Sequence, residues 1–227
     1  PIAGIVAANN LSSGIIIMGI AFVMLFVACK KQWPFYACGG LAMLAVVTAG
    51  PLAIFLEKIK LLKPYQLSRI HVWLSPESYP MDGGYQVLQG LYAIGSGGLL
   101  GVGLGNSRQK FLYIPEPQND FVFSIVCEEL GYIGAALVLI LFALLIIRGY
   151  WLAIHARDRF GALLIVGVTT QVAVQVFLNI GVVTNLFPVT GISLPFFSYG
   201  GTALLIQLLE MGIVLSVSRQ IPAPKAG

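Results

Sequence analysis

The residues able to do chemistry in this chain fall in a few short polar inserts. Residues 114–121 read IPEPQNDF, two prolines around Glu116 followed by a polar run ending in Asp120. Pro115 and Pro117 each lock a φ angle and restrict the residue before them, so the two acids are held rather than left to wander. A held carboxylate can take the proton of an attacking hydroxyl. It can also do less: Asp120 stands directly before the apolar run that starts at Phe121, where an aspartate caps a helix and meets its dipole, which weakens it as a base. Both readings stand. Upstream, Arg108 and Lys110 end the stretch AIGSGGLLGVGLGNSRQK (93–110). Two such cations suit a diphosphate, although snorkelling at a membrane edge explains a lone cation equally well. Gly97, Gly101 and Gly105 recur every four residues, which predicts one helical face open to a close neighbour. The G-x-x-x-x-G-K-[ST] phosphate loop is absent from the sequence.

Three more acids lie inside apolar runs. Glu128 and Glu129 are adjacent, and neighbouring helix positions diverge by about 100°, so only one faces a given partner. Glu210, one turn after Gln207, is costly in lipid and must face the interior. An ion or substrate path and a helix-packing hydrogen bond both fit these acids. His71 and His155 have no Cys or carboxylate at ligand spacing, so no metal site is expected on them. Cys29, Cys38 and Cys127 form no C-x-x-C pair and are expected to pack. No Ser or Cys with a paired His stands beside the acidic insert, which argues against covalent acyl transfer.

The elements that must position these residues are membrane helices. With 58% hydrophobic residues, 10% charged residues and a mean hydropathy of +0.89, the chain cannot cover a water-soluble domain with polar surface. It reads as an all-α, polytopic membrane protein, a single integral membrane domain over 1–227. No basic stripe interleaved with aromatics points to a nucleic-acid partner. At roughly 20 apolar residues per crossing, six transmembrane segments are expected: Leu11–Cys29, Pro34–Leu56, Gly83–Gly105, Phe121–Ile147, and about 160–186 and 199–218, the last two parted by Pro188 and Pro195. Lys58, Lys60, Lys63 and Arg69, then Arg148, Arg157 and Arg159, then Arg219 and Lys225 outnumber Lys30, Lys31, Arg108 and Lys110 on the other side. The positive-inside rule therefore makes the first set cytoplasmic and puts IPEPQND and FPVTGISLPFFSYGG (187–201) together outside. The chain opens at Pro1 in an uncharged stretch without a charged leader, so a truncated fragment is expected.

Two long ordered motifs, GYQVLQGLYAIGSGGLLGVGLGNSRQKFLYIPEPQNDFVFSIVCEELG (84–131) and FPVTGISLPFFSYGG (187–201), resemble the shape, elongation, division and sporulation (SEDS) proteins, the group of FtsW, RodA and SpoVE. The likeness runs from about Leu11 to Arg219. It implies a ten-helix protein of the bacterial cytoplasmic membrane, of which this chain holds about the last six, polymerising lipid II on the outer face beside a class B penicillin-binding protein. The family pattern P-E-x-[HQ]-T-D-F is matched by Pro115, Glu116, Gln118, Asp120 and Phe121, with Asn119 in place of Thr. The resemblance thus implies Asp120 as the base for the acceptor 4-hydroxyl. It also implies a substrate surface of Glu116, Arg108, Lys110, Gln118, Ser198, Tyr199, Gly200 and Gly201. It implies no covalently bound cofactor, and leaves room for a divalent Mg2+ or Mn2+ ion on Asp120 or Glu116. A lipid II transporter, or a scaffold that only positions the transpeptidase in the surrounding membrane lipid, remains an alternative.

Overall fold

The computed structural model describes residues 2–29, 32–48, 64–80, 83–114 and 118–221, and all of the regular structure among them is helical. α1 (Ile2–Asn9) leads into α2 (Leu11–Ala28), where Asn10 sits at the N-cap and accepts from Ser13 N at 3.3 Å. The polar start of the first expected crossing is thus a cap. α3 (Trp33–Val47) follows and packs Phe35 and Tyr36 edge-on against Phe22 and Phe26. Its expected continuation to Leu56 lies outside the described residues. α4 (Pro64–Leu74), a 3-10 turn (Pro76–Ser78), α5 (Gly84–Ser96) and the short α6 (Arg108–Leu112) fill the long connection before α7 (Val122–Ile154). α8 (Arg159–Val183), capped by Asp158 through Gly161 N at 2.9 Å, and α9 (Gly201–Ser218) complete the bundle.

The helices α7, α8 and α9 are long and apolar enough to cross a membrane, and Ser13–Ala28 is a shorter apolar helix. The expected crossing at Gly83–Gly105 is corrected. α5 has 13 residues, about 20 Å of helix against about 30 Å of hydrocarbon, so the helix is too short to span by itself, and the rest of the expected segment is loop. Its loss re-sorts the ends. Arg69 Nη1 donates to Val189 O at 2.6 Å, and Trp73 Nε1 to Asn185 O at 3.1 Å, so α4 stands at the same end as the 185–199 loop. Arg69 therefore shares an end with the loop from which the charge pattern separates it. Conversely, Val27, Ala28 and Cys29 share a cavity with Arg159, Ala162 and Leu163, which closes α2 at the opposite end. The positive-inside rule holds for short basic links and not for a connection as long as the one between α3 and α7.

The feature that shapes the bundle is inside α7. Gly131 has φ 67° and ψ −172°, which no helix contains. Gly149 abuts Thr169, and Tyr150 Oη pairs with Thr170 Oγ1 at 3.0 Å, which sets the register of α7 on α8. From that register a straight α7 would carry Asp120 about 43 Å beyond Gly149, whereas Asn179 stands only about 15 Å beyond Thr169. Yet Asn179 Nδ2 donates to Asp120 O at 2.7 Å. The chain must turn back at Gly131, returning Asp120 into the bundle by as much as about 16 Å. Phe142 against Phe197, with centroids 5.8 Å apart, requires the same turn, because Tyr199 N donates to Gln118 O at 2.8 Å.

The break frees backbone groups where water is scarce, and the glycine loop takes them up. Val102 N and Gly103 N donate to Glu128 O and Glu129 O, both at 3.0 Å; Tyr132 N and Ile133 N donate to Gly98 O and Leu99 O, at 2.9 and 3.2 Å. The glycines are thus not a helical face. Gly98, Gly101, Gly103 and Gly105 all have positive φ, and a Cβ on Gly97 or Gly101 would stand 2.0 or 2.2 Å from a carbonyl oxygen of residues 127 and 129. Gly131→Ala, whose Cβ would meet Gly101 N at 2.4 Å, should abolish a folded monodisperse protein in detergent. Gly98→Ala, with φ 55° and nothing within 4 Å, should cost only about 1–2 kcal/mol. Thermal melts of the two purified variants check the difference.

Candidate active site

Three elements hold Asp120. α7 begins at Val122 with Phe121 in the N-cap position and no side-chain cap, so Asp120 stands one residue outside the place where capping was expected. Phe121 is fully buried, against Gly90 of α5, where a Cβ would come within 2.7 Å of its ring. That packing anchors the backbone directly after the acid. From α8, Asn179 Nδ2 donates both to Asp120 O at 2.7 Å and to Ile192 O at 2.8 Å. One buried amide, 1% exposed, ties the acidic insert to the second motif loop. On the far side Gly191, at φ 68°, faces the acid so closely that a Cβ there would lie 3.9 Å from Asp120 Oδ2.

The second loop is rigid for its own reasons. Asn185 (φ 58°) and Phe196 (φ 63°) are the non-glycine residues with left-handed φ among the described residues, and each such residue costs about 1–3 kcal/mol unless its surroundings enforce it. Asn185 is enforced by Trp73, its Nδ2 donating to Trp73 O at 3.4 Å. Phe196 N donates to the buried Gln207 Oε1 at 2.9 Å. Ser198 Oγ accepts from Leu194 N at 2.7 Å, so its first task is the turn. Tyr199 is 80% exposed, its backbone bonded to Gln118, and Gly201 opens α9 after Gly200.

Arg108 occupies a second station. Ser107 caps α6 through Lys110 N at 3.0 Å, and its hydroxyl also donates to Glu128 Oε2. Arg108 N donates to Glu128 Oε1 at 3.0 Å. Glu128 is 2% exposed. With Ser96, Val102, Asn106 and Arg108 it lines a cavity of about 430 Å³. Glu128, not Glu129, is the neighbour that turns into this polar station. Glu210 accepts from Gln171 Nε2 at 3.0 and 3.1 Å across α8 and α9, a helix-packing hydrogen bond. Gln207 serves the loop instead of Glu210.

Glu116, named for substrate and for a metal ion, lies outside the described residues, as do Pro115 and Pro117. Among the described residues no three His, Cys, Asp or Glu groups gather as metal ligands. His71 stacks on Tyr79 and His155 on Trp151. The three cysteines are free, with Cys127 packed in the core and Cys29 and Cys38 exposed. Sequence reasoning missed Asn179 and Arg69. The signal for Asn179 was present, a carboxamide in an uncharged apolar run, where a polar side chain needs a partner.

Comparison with known proteins places the chain. The family model for FtsW, RodA and SpoVE, described as cell cycle protein, matches residues 1–222. The chain belongs to that family. It is 45% identical over 215 residues to stage V sporulation protein E of Bacillus subtilis, covering 95% of this chain and 56% of that protein. It is 39% identical over 213 residues to the probable peptidoglycan glycosyltransferase FtsW of Geobacter metallireducens, covering 94% and 54%. The chain thus spans about half the length of these SEDS relatives. Among solved structures, a peptidoglycan synthase complex described as coordinating polymerization and crosslinking matches at TM-score 0.73 and 31% identity, over 99% of this chain and 60% of that one. A mutant of the rod shape determining protein RodA of Thermus thermophilus matches at 0.59 and 25%, over 99% and 55%. The chain is a multi-pass helical membrane protein of the SEDS family.

Asn179→Ala leaves two buried carbonyls without their donor, at about 1–3 kcal/mol each. It should lower the melting temperature of the purified protein by several degrees. Asn179→Asp, which turns a carboxylate onto the same two oxygens, should be worse than Ala, and a melt of both variants tests the order.

Proposed function

We propose that the full-length parent is a peptidoglycan glycosyltransferase that polymerises lipid II, with Asp120 as its general base. What supports this reading above all is the junction at Asn179, where one amide brings Asp120 and the second family motif, each already suggestive alone, into one site. In the reaction the GlcNAc 4-hydroxyl oxygen of one substrate attacks the anomeric carbon of a MurNAc. The C–O bond to undecaprenyl diphosphate breaks and its electron pair leaves with the diphosphate. The α-linked donor gives a β-linked product, so one inverting displacement suffices, and the hydroxyl proton goes to the Asp120 carboxylate. Arg108 and Lys110 meet the charge that develops on the diphosphate. Gln118 and the Ser198–Gly201 turn line the sugars' approach, and Glu116 orients the acceptor. A Mg2+ or Mn2+ ion would be held by the carboxylate of Asp120 or of Glu116 and would supply charge stabilisation at that carboxylate. The site end of the bundle is the outer face of the bacterial cytoplasmic membrane, opposite the basic link at Arg148, Arg157 and Arg159. The transpeptidase partner is a class B penicillin-binding protein.

Asp120→Asn keeps the shape and removes the proton acceptor. The full-length parent carrying it should fold, keep its partner and form no glycan from purified lipid II; polymerisation at more than about a hundredth of the wild-type rate would sink the assignment. If wild-type protein instead moves labelled lipid II across vesicles and makes polymer only with a second enzyme added, the parent is a transporter. Replacing both Arg108 and Lys110 by Ala should raise KM for the diphosphate-linked donor about tenfold or more while the melt stays within a few degrees. Unchanged donor kinetics would reduce the pair to interfacial anchors.

A further inference from the structure

A buried carboxylate outside the acidic insert has no role in the chemistry above. Glu128 is 2% exposed, and among the described residues it is neither left alone nor paired with a cation's side chain. One oxygen accepts the Ser107 hydroxyl and the other accepts the backbone N–H of Arg108. Ser107, itself 1% exposed, is held from the other side by Lys110 N. A carboxylate with both oxygens on the residue before a cation and on that cation's own backbone fixes where the cation's side chain starts. The same glutamate and the same arginine then line one cavity, with Ser96, Val102 and Asn106 around them. The backbone carbonyl of Glu128 is in turn fixed by Val102 N at the Gly131 turn. Position is thus passed from the broken helix to the arginine by a closed set of hydrogen bonds.

We propose that Glu128, through Ser107 and the Arg108 backbone, is the positioning residue that aims Arg108 at an organic diphosphate in this cavity. The inference rests on the reading of Arg108 as a diphosphate clamp and adds the element that makes it selective. An arginine on an exposed loop meets diphosphate only after losing side-chain and loop freedom, a cost that anchoring at both Ser107 and the Arg108 N–H lowers in advance. Only the carboxylate accepts both donors; a Gln at 128 accepts one and presents N–H groups to the other.

The experiment uses the full-length parent with purified lipid II as donor and compares Glu128→Gln, Ser107→Ala, Arg108→Ala and the double variant Glu128→Gln with Arg108→Ala. Glu128→Gln and Ser107→Ala should each raise donor KM several-fold to about tenfold with kcat changed less than about threefold. The double variant should be no worse in donor KM than Arg108→Ala alone, because both act through one group. Additive losses, or a fall in kcat with KM unchanged, would mean that Glu128 only holds the fold and would overturn the inference. Ser107→Ala keeps the test open should Glu128→Gln fail to fold, since it leaves the Glu128 carboxylate and its bond to the Arg108 N–H in place. If Arg108→Ala raises donor KM and the other two do not, the positioning inference fails alone. If none of them does while wild type polymerises, the clamp itself is wrong.

Discussion

A helix broken inside a membrane must find new partners for its backbone, and that requirement organises this molecule. Each polar group left unmatched in hydrocarbon costs several kcal/mol. At Gly131 two carbonyls and two amides need partners, and the glycine loop at 98–103 supplies all four. Side chains there would prevent it: a Cβ on Gly97, Gly101 or Gly131 would fall 2.0–2.4 Å from backbone atoms of the opposing segment. With the break satisfied, the chain can turn back and bring Asp120 inside the bundle, where α8 and the second motif loop can reach it. Without the break Asp120 would stand far from Asn179.

Polar residues in the apolar helices are then spent as ties. Asn179 joins the two motif loops, Gln207 holds Phe196 in a left-handed conformation, and Gln171 with Glu210 clasps α8 to α9. Each tie is local, but together they leave the 185–199 loop little freedom. Two strained residues in one loop are tolerable only because Trp73 and Gln207 over-determine them. A loop held in this way has little entropy left to lose on binding.

How much of this was legible in the sequence depended on length of signal. Apolar runs bounded by charges and prolines gave α2, α7, α8 and α9, and the family motifs gave the two halves of the candidate site. The Gly83–Gly105 segment misled because hydropathy cannot tell a spanning helix from a short helix followed by a buried loop. The regular spacing of Gly97, Gly101 and Gly105 reads as a helical face, and only φ angles reveal a loop. Gly131 gave no warning at all, being one glycine in a long apolar run. The charge pattern separates Arg69 from the 185–199 loop because it counts Gly83–Gly105 as a crossing, and each added helix inverts every end before it. Asn179 was visible, yet its partners lie far away in sequence, and no local pattern names them.

The re-entrant section has a further consequence for the proposed reaction. It is a short rigid strut with Asp120 just ahead of one end and Glu128, the seat of Arg108, near the other. From Phe121 to Glu128 the strut measures about 10 Å. In an inverting displacement the base and the leaving group lie on opposite faces of the anomeric carbon. Base, hydroxyl oxygen, carbon, bridging oxygen and diphosphate therefore stand in file, over a comparable length. A proton acceptor and a cation mounted on two loops would drift relative to one another. With Asp120 directly ahead of this helix and Arg108 seated on it through Glu128, the two keep a fixed separation, and effective catalysis needs that fixed geometry more than it needs a stronger base.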